Sequence, residues 1–255
     1  MIELWIGLAG GILIGATGAG LGVVVTPLLI FAGYRPAVAI GTGLGLAAVS
    51  KIAGALVHRQ LGHWPGRKAW MVMGGGIGGV LVTWWFTHSW RVLSLPQADL
   101  WLKRGVGAAI LAASAALLVS GGERKIGRTA EGDESGAALL LAGLSVAPVE
   151  ALTSVGSGSL LGPLLVSTTA WNVPQLAAVG NLFGWVVAVM SAALYFHVGS
   201  FNLPLFAKVL LGLVPGLLAG VLLSRHIERR WYARFLGVMG VGLAFRLLLS
   251  PWLWK

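Results

Sequence analysis

The sequence predicts an all-α protein that crosses a membrane several times and is built from two homologous halves. Three observations predict it. Of the 255 residues, 57% are hydrophobic and only 10% charged, where a soluble domain carries about 25% charged residues. Apolar runs fill roughly 4–32, 37–57, 69–87, 105–120, 137–168, 175–196, 203–224 and 232–249, and several reach the ~18 residues needed to cross a bilayer. The third observation is a pattern of glycine and proline that occurs twice, in the same order.

Segment 4–32 is about 43 Å long if wholly helical, too long for a simple crossing. It contains "GATGAGLGVVVTPLL" at 15–29, with Gly18, Gly20, Gly22 and Pro27 where a spanning helix most needs continuity. Each interior glycine costs about 1 kcal/mol relative to alanine and an interior proline about 3 kcal/mol. A break is therefore expected, with the chain either spanning at a tilt or entering as a re-entrant hairpin and returning. Runs 37–57, 69–87 and 105–120 follow as crossings. The stretch 121–136, "GGERKIGRTAEGDESG", is the most polar of the chain and reads as a flexible surface linker. It divides a first membrane repeat, 1–120, from a second, 137–255.

The second repeat answers the first. Gly20-Leu-Gly22 precedes Pro27-Leu-Leu with the spacing by which Gly156-Ser-Gly158 precedes Pro163-Leu-Leu. "AVAIGTGLG" at 37–45 answers "LAAVGNLFG" at 176–184, pairing Gly41-Thr42 with Gly180-Asn181. His58 and Gly62 match His197 and Gly199, and Gly74 and Gly78 match Gly212 and Gly216. The offset stays between 136 and 139.

Basic residues decide the orientation of the halves. If every run spans, Lys and Arg between the runs divide eight against seven. If the broken runs re-enter, Arg59, Arg67, Lys68, Arg124, Lys125, Arg128, Arg225, Arg229, Arg230 and Arg234 share one face, ten against five. The second arrangement makes the repeats inverted and puts both termini outside the cytoplasm. The net charge of +10 follows from these interhelical residues, which orient helices and meet anionic lipid, so no nucleic-acid partner is expected. No cysteine is present, which excludes disulfides and thiolate metal sites. With only Glu3 before the first apolar run, no cleaved signal peptide is expected.

Irregular backbone survives in hydrocarbon only where it lines a cavity or is buried in protein. Secondary transporters use such breaks as midplane sites, with half-helix N-termini aimed at an anion. Gly18–Gly22 and Gly156–Ser159 are the expected tips, brought together from opposite leaflets.

On these residues the chain resembles the TauE/SafE sulfite exporter family of bacterial and archaeal membrane proteins. The resemblance covers nearly the whole chain. It rests on the paired glycine clusters with Pro-Leu-Leu, on Gly41-Thr42, on His58 with Gly62, and on Gly212 with Pro215-Gly216. It implies seven or eight membrane segments and the movement of sulfite, sulfoacetate and related sulfur or organic anions across the cell (inner) membrane. Where the family commonly reads Gly-x-Gly-Gly-Gly, this chain has Gly18-Ala-Gly20-Leu-Gly22 and Gly156-Ser-Gly158-Ser159, and Gly180-Asn181 replaces the usual Gly-Thr.

The candidate substrate-binding residues are Thr17, Gly18, Gly20, Gly22, Thr42, Lys51, Gly156, Ser157, Gly158, Ser159 and Asn181, with Ser154 a further hydroxyl donor. The glycines allow close backbone approach, and the hydroxyls and amide can donate to an oxyanion or serve helix–helix hydrogen bonds. Lys51 lies inside a run, where a cation costs roughly 3 kcal/mol. It attracts an anion or snorkels to the interface; Lys208, near its segment's start, snorkels. Glu150 is the only acid inside an apolar run, a candidate proton carrier or a structural partner for Lys51. His58 and His197, at equivalent helix ends, are secondary candidates whose expected role is interface packing. No cofactor or metal is expected, and a homo-oligomer is open.

A rival from another class is an intramembrane serine protease, suggested by "GSGSL" at 156–160 with His197. The repeat argues against it, because Leu21 stands in the first half where Ser157 stands in the second. No nucleotide-binding signature is present, which disfavours ATP-driven transport.

Overall fold

In a computed structural model the chain is helical without a strand among the described residues, which are 1–17, 20–64, 66–89, 95, 97–120, 135–223 and 229–249. The helices are α1 (Ile2–Thr17), α2 (Leu21–Phe31), α3 (Pro36–Gln60), α4 (Ala69–Ser89), α5 (Ala98–Ser120), α6 (Gly136–Thr153), α7 (Gly162–Thr168), α8 (Val173–His197), α9 (Leu203–Leu223) and α10 (Arg229–Leu249), with a π-helical turn at Ser157–Leu161 before α7. All eight apolar runs are thus helical, and the two expected to break do break. Helices α3, α4, α6, α8 and α9 are long and apolar enough to cross a membrane.

Both broken runs are hairpins. In the first, Val25 of α2 packs over Gly10 of α1, and the Tyr34 hydroxyl just beyond α2 donates to Glu3 Oε1 at 2.8 Å. The chain therefore returns to the side it entered. A continuous helix would separate residues 3 and 34 by more than 40 Å. Tyr34 lies outside the helices, and burial with the Glu3 carboxylate raises its phenol above the ordinary range. In the second half α6 is long enough to span alone, but its chain turns at Ser154 and α7 folds back against it. Leu139, at the start of α6, and Trp171, beyond α7, join one buried cluster.

The equivalent helices of the two halves run in opposite directions. Along the α3–α8 pair, Gly41 meets Tyr195 and Gly54 meets Asn181. Along α5–α10, Gly107 meets Leu247 and Leu248, and Gly237 meets Leu118. Rising numbers on one helix face falling numbers on the other, so each pair is antiparallel and the repeats are inverted.

The remaining long pairs are parallel, and each joins one half to the other. Gly7, Gly11 and Gly15 of α1 lie against the backbone of α9 at Val209, Leu213 and Leu217, while Gly212 and Gly216 receive the carbonyls of Leu4 and Leu8. The α4–α6 pair reproduces this: Gly143 receives the carbonyl of Val72, and Gly75 and Gly79 receive those of Leu140 and Leu144. Without an apolar solvent gradient, membrane helices associate through close backbone approach at small residues. These contacts also correct the expected register. Gly212 and Gly216 have Gly75 and Gly79 as counterparts, one residue beyond the Gly74 and Gly78 read from sequence; a Cβ on Gly74 would meet nothing within 4 Å.

Helix α5 begins at Ala98, ahead of its apolar run. Asp99 sits in its first turn, where a carboxylate complements the helix dipole, and accepts from Arg35 Nε at 2.9 Å and from the Ala37 amide at 3.5 Å.

The halves differ in burial. Nine of the eleven residues of α2 are buried, but in α7 only Gly162 and Leu165 are.

Candidate functional site

The two hairpin tips touch. Helix α2 starts after Gly20, whose backbone is extended, and at Gly22 an added Cβ would run into the carbonyl of Ser154. Ser154 ends α6 in the left-handed conformation, φ 63°, unusual for a residue with a side chain. Its amide still bonds the Glu150 carbonyl at 2.7 Å. The chain then crosses the Glu150 side chain at Gly156, where a Cβ would come within 2.5 Å of Oε2. That bare crossing delivers the Ser157 amide to Glu150 Oε2 at 2.6 Å.

Glu150 is completely buried and carries the centre of the site. Its Oε1 accepts from Lys51 Nζ of α3 at 2.6 Å and from the Ser157 hydroxyl at 3.3 Å. Lys51 Nζ also donates to Ser157 Oγ, and its side chain is 13% exposed. Of the two expected roles for Lys51, snorkelling is set aside: the ammonium is bonded inward. Helix α8 closes the group at Gly184, where a Cβ would strike Lys51 Nζ and Ser157 Oγ. Lys51 of α3, the stretch from Glu150 to Ser157, and Gly184 of α8 thus meet at one buried charge pair.

Among the described residues the buried hydroxyls with no hydrogen-bond partner are those of Thr26, Thr42, Ser114, Ser154, Ser159, Ser191 and Tyr195. Those of Thr26 and Ser154 converge on Gly43, at 2.5 Å and 3.0 Å from where its Cβ would stand. A buried donor left unpaired costs about 1–3 kcal/mol. Asn181 lies on α8 one turn before Gly184, its amide packed on Gly54. At Gly20 an added Cβ would meet nothing within 4 Å; this tip borders open space, and the need for a small residue falls on Gly22 instead. Gly158 is exposed. Gly18 and the side chain of Thr17 lie outside the described residues.

The histidines sit elsewhere. His58 Nδ1 lies 3.0 Å from His63 Nδ1 at the end of α3, about two turns from Lys51, and His197 is exposed at the end of α8. Neither touches the charge pair. Lys208 is exposed on α9. Sequence reasoning missed Gly184, Thr26 and Gly43. Gly184 had a signal, since it closes the "LAAVGNLFG" stretch as the counterpart of Gly45; nothing in the sequence singled out Thr26.

Residues 4–247 match the family described as Sulfite exporter TauE/SafE. The chain belongs to that family. Similarity also extends to a curated relative, the "Probable membrane transporter protein YjnA" of Bacillus subtilis (strain 168), 25% identical over 229 residues, which are 88% of this chain and 90% of the relative. No solved structure matches. This TauE/SafE protein is a multi-pass membrane transporter, and the buried Lys51–Glu150 pair lies where its two re-entrant hairpins meet.

Proposed function

We propose that this protein is a secondary transporter, an exporter of small sulfur-containing anions such as sulfite or organosulfonates. It works by alternating access around the meeting point of the two hairpins, with Glu150 as the coupling proton carrier. The observation that carries the proposal is the Lys51 ammonium held at that meeting point, far inside the apolar part of α3. A cation there is costly unless a partner or substrate uses it. The unpaired hydroxyls of Thr26, Thr42, Ser154 and Ser159 are a supply of neutral donors suited to an oxyanion. The inverted repeats supply the two equivalent gates that alternating access requires. The ten-to-five distribution of basic residues supports an inner-membrane orientation with both termini outside the cytoplasm.

The test is counterflow in proteoliposomes loaded with labelled sulfite and challenged with unlabelled sulfite, sulfoacetate, thiosulfate and a carboxylate. Exchange with the sulfur anions and not with the carboxylate supports the proposal. Exchange with the carboxylate alone favours a carrier of another small organic anion. Labelling of Ser157 or Ser159 by a fluorophosphonate would favour hydrolysis instead.

A further inference from the structure

We infer that the Glu150 carboxylate occupies the site of the transported anion, so that an anion binds only when a proton displaces Glu150 from Lys51 and Ser157. This rests on the anion-transport reading above and deepens it. A carboxylate is itself a small oxyanion, and the donors around Glu150 form the set that a sulfonate or sulfite would take: the Lys51 ammonium, the Ser157 amide and the Ser157 hydroxyl. All three converge on one carboxylate from two separate elements, α3 and the π-helical turn. While Glu150 is charged it satisfies all three, and a second anion would meet both an occupied cation and a buried like charge. Adding one proton to Glu150 removes that charge and releases Lys51 Nζ.

The consequence is a fixed stoichiometry. One proton enters with each anion, and neither stays without the other at moderate concentration. The empty carrier keeps a neutral Lys51–Glu150 pair, and the loaded carrier keeps a Lys51–anion pair beside a neutral carboxyl. With a monovalent anion such as a sulfonate both forms carry the same net charge, so each can undergo the conformational change at a similar cost of burial; a dianion leaves one excess negative charge in the loaded form. A carrier with a bare Lys51 would be penalised at mid-membrane and would not cycle.

Other charged or titratable groups stand on the elements packed against α6. On α5, Asp99 is bonded to Arg35, Arg104 is exposed, and Lys103 is a second buried cation, two residues before Gly105, which packs on Thr153 one turn from Glu150. On α4, His88 stacks on Trp84 at the far end. On α8, Tyr195 and His197 lie at the end away from Gly184, and on α3 His58 faces His63 and Arg59 is exposed. Glu150 is ion-paired with Lys51.

The experiment measures affinity for methanesulfonate, isethionate and thiosulfate, whose charges are constant from pH 5 to 8, on purified full-length protein. Wild type should bind more weakly as pH rises, approaching the tenfold per pH unit of single-proton linkage, and should take up about one proton per anion bound. Glu150→Gln, which keeps an acceptor for the Ser157 amide, should bind at pH 8 at least as tightly as wild type does at pH 5, with no pH dependence and no proton uptake. Infrared difference spectra of wild type should show a protonated carboxyl appearing on anion binding. Because the variant can fail to fold, the proton count and the spectrum on wild type stand without it. Anion binding that is independent of pH and takes up no proton overturns this inference and leaves the transport reading intact. No binding of any of the three at any pH, by folded wild type, overturns both.

Discussion

Removing Lys51 while leaving Glu150 in place should destabilise the protein more than removing both. Glu150 is wholly buried and Lys51 nearly so. Truncating one partner of such a pair leaves an uncompensated charge and costs about 3–5 kcal/mol. The slight exposure of Lys51 puts Lys51→Met near the lower end, about 3 kcal/mol. For a chain of this size that is a fall in Tm of roughly 6–12 °C. Glu150→Gln should cost a similar amount by stranding the ammonium. In the double variant no charge remains and the Ser157 amide keeps an acceptor, so its loss should be about 2 kcal/mol. The coupling between the two positions is then about 4 kcal/mol, well above the ~0.5 kcal/mol within which independent sites add. The sign of the pH response is also fixed. Acid should relieve Lys51→Met, because a proton removes the bare charge on Glu150, and should leave the double variant unmoved. Thermal unfolding in detergent of wild type, both single variants and the double variant, at pH 5 and pH 8, measures all of this. Additive losses within about 0.5 kcal/mol, or a Lys51→Met defect that does not respond to pH, would refute the pairing as the source of stability.

Gly184→Ala should push into Lys51 and Ser157 and lower transport at least tenfold; uptake assays on protein that elutes as a single species read it, and full activity would show that the charge pair can shift at no cost. The two first-hairpin glycines should separate cleanly. Gly22→Ala drives a Cβ into the Ser154 carbonyl and should lower Tm by several degrees, whereas Gly20→Ala faces open space and should leave Tm within a degree or two; the reverse order would mean that the tips do not meet as described. Reporter fusions within 124–132 and at Lys255 should report opposite sides of the membrane, since each half contributes an odd number of crossings. Both reporters on one side would restore the arrangement in which every run spans.

The sequence by itself determined the elements and their duplication. Apolar length marks each crossing, because ~30 Å of hydrocarbon demands a set number of residues. Glycine and proline mark the breaks, because backbone propensity is local. The chain could also be recognised as inverted from its basic residues, since topology is a count along the sequence. Lys51 and Glu150 stood out one at a time, each as a charge in an apolar run. What only the tertiary structure decided is that they belong to each other, although they stand 99 positions apart in sequence, and that Gly156 and Gly184 are bare so that Ser157 can join them. The register of the repeat was likewise settled by which glycine receives which carbonyl, moving the counterparts from Gly74 and Gly78 to Gly75 and Gly79. So was the different burial of α2 and α7, whose sequences share one frame. Side-chain chemistry and spacing act along the chain, where a sequence displays them. Close approach depends on the shapes of two surfaces at once, and those surfaces exist only after the helices have packed.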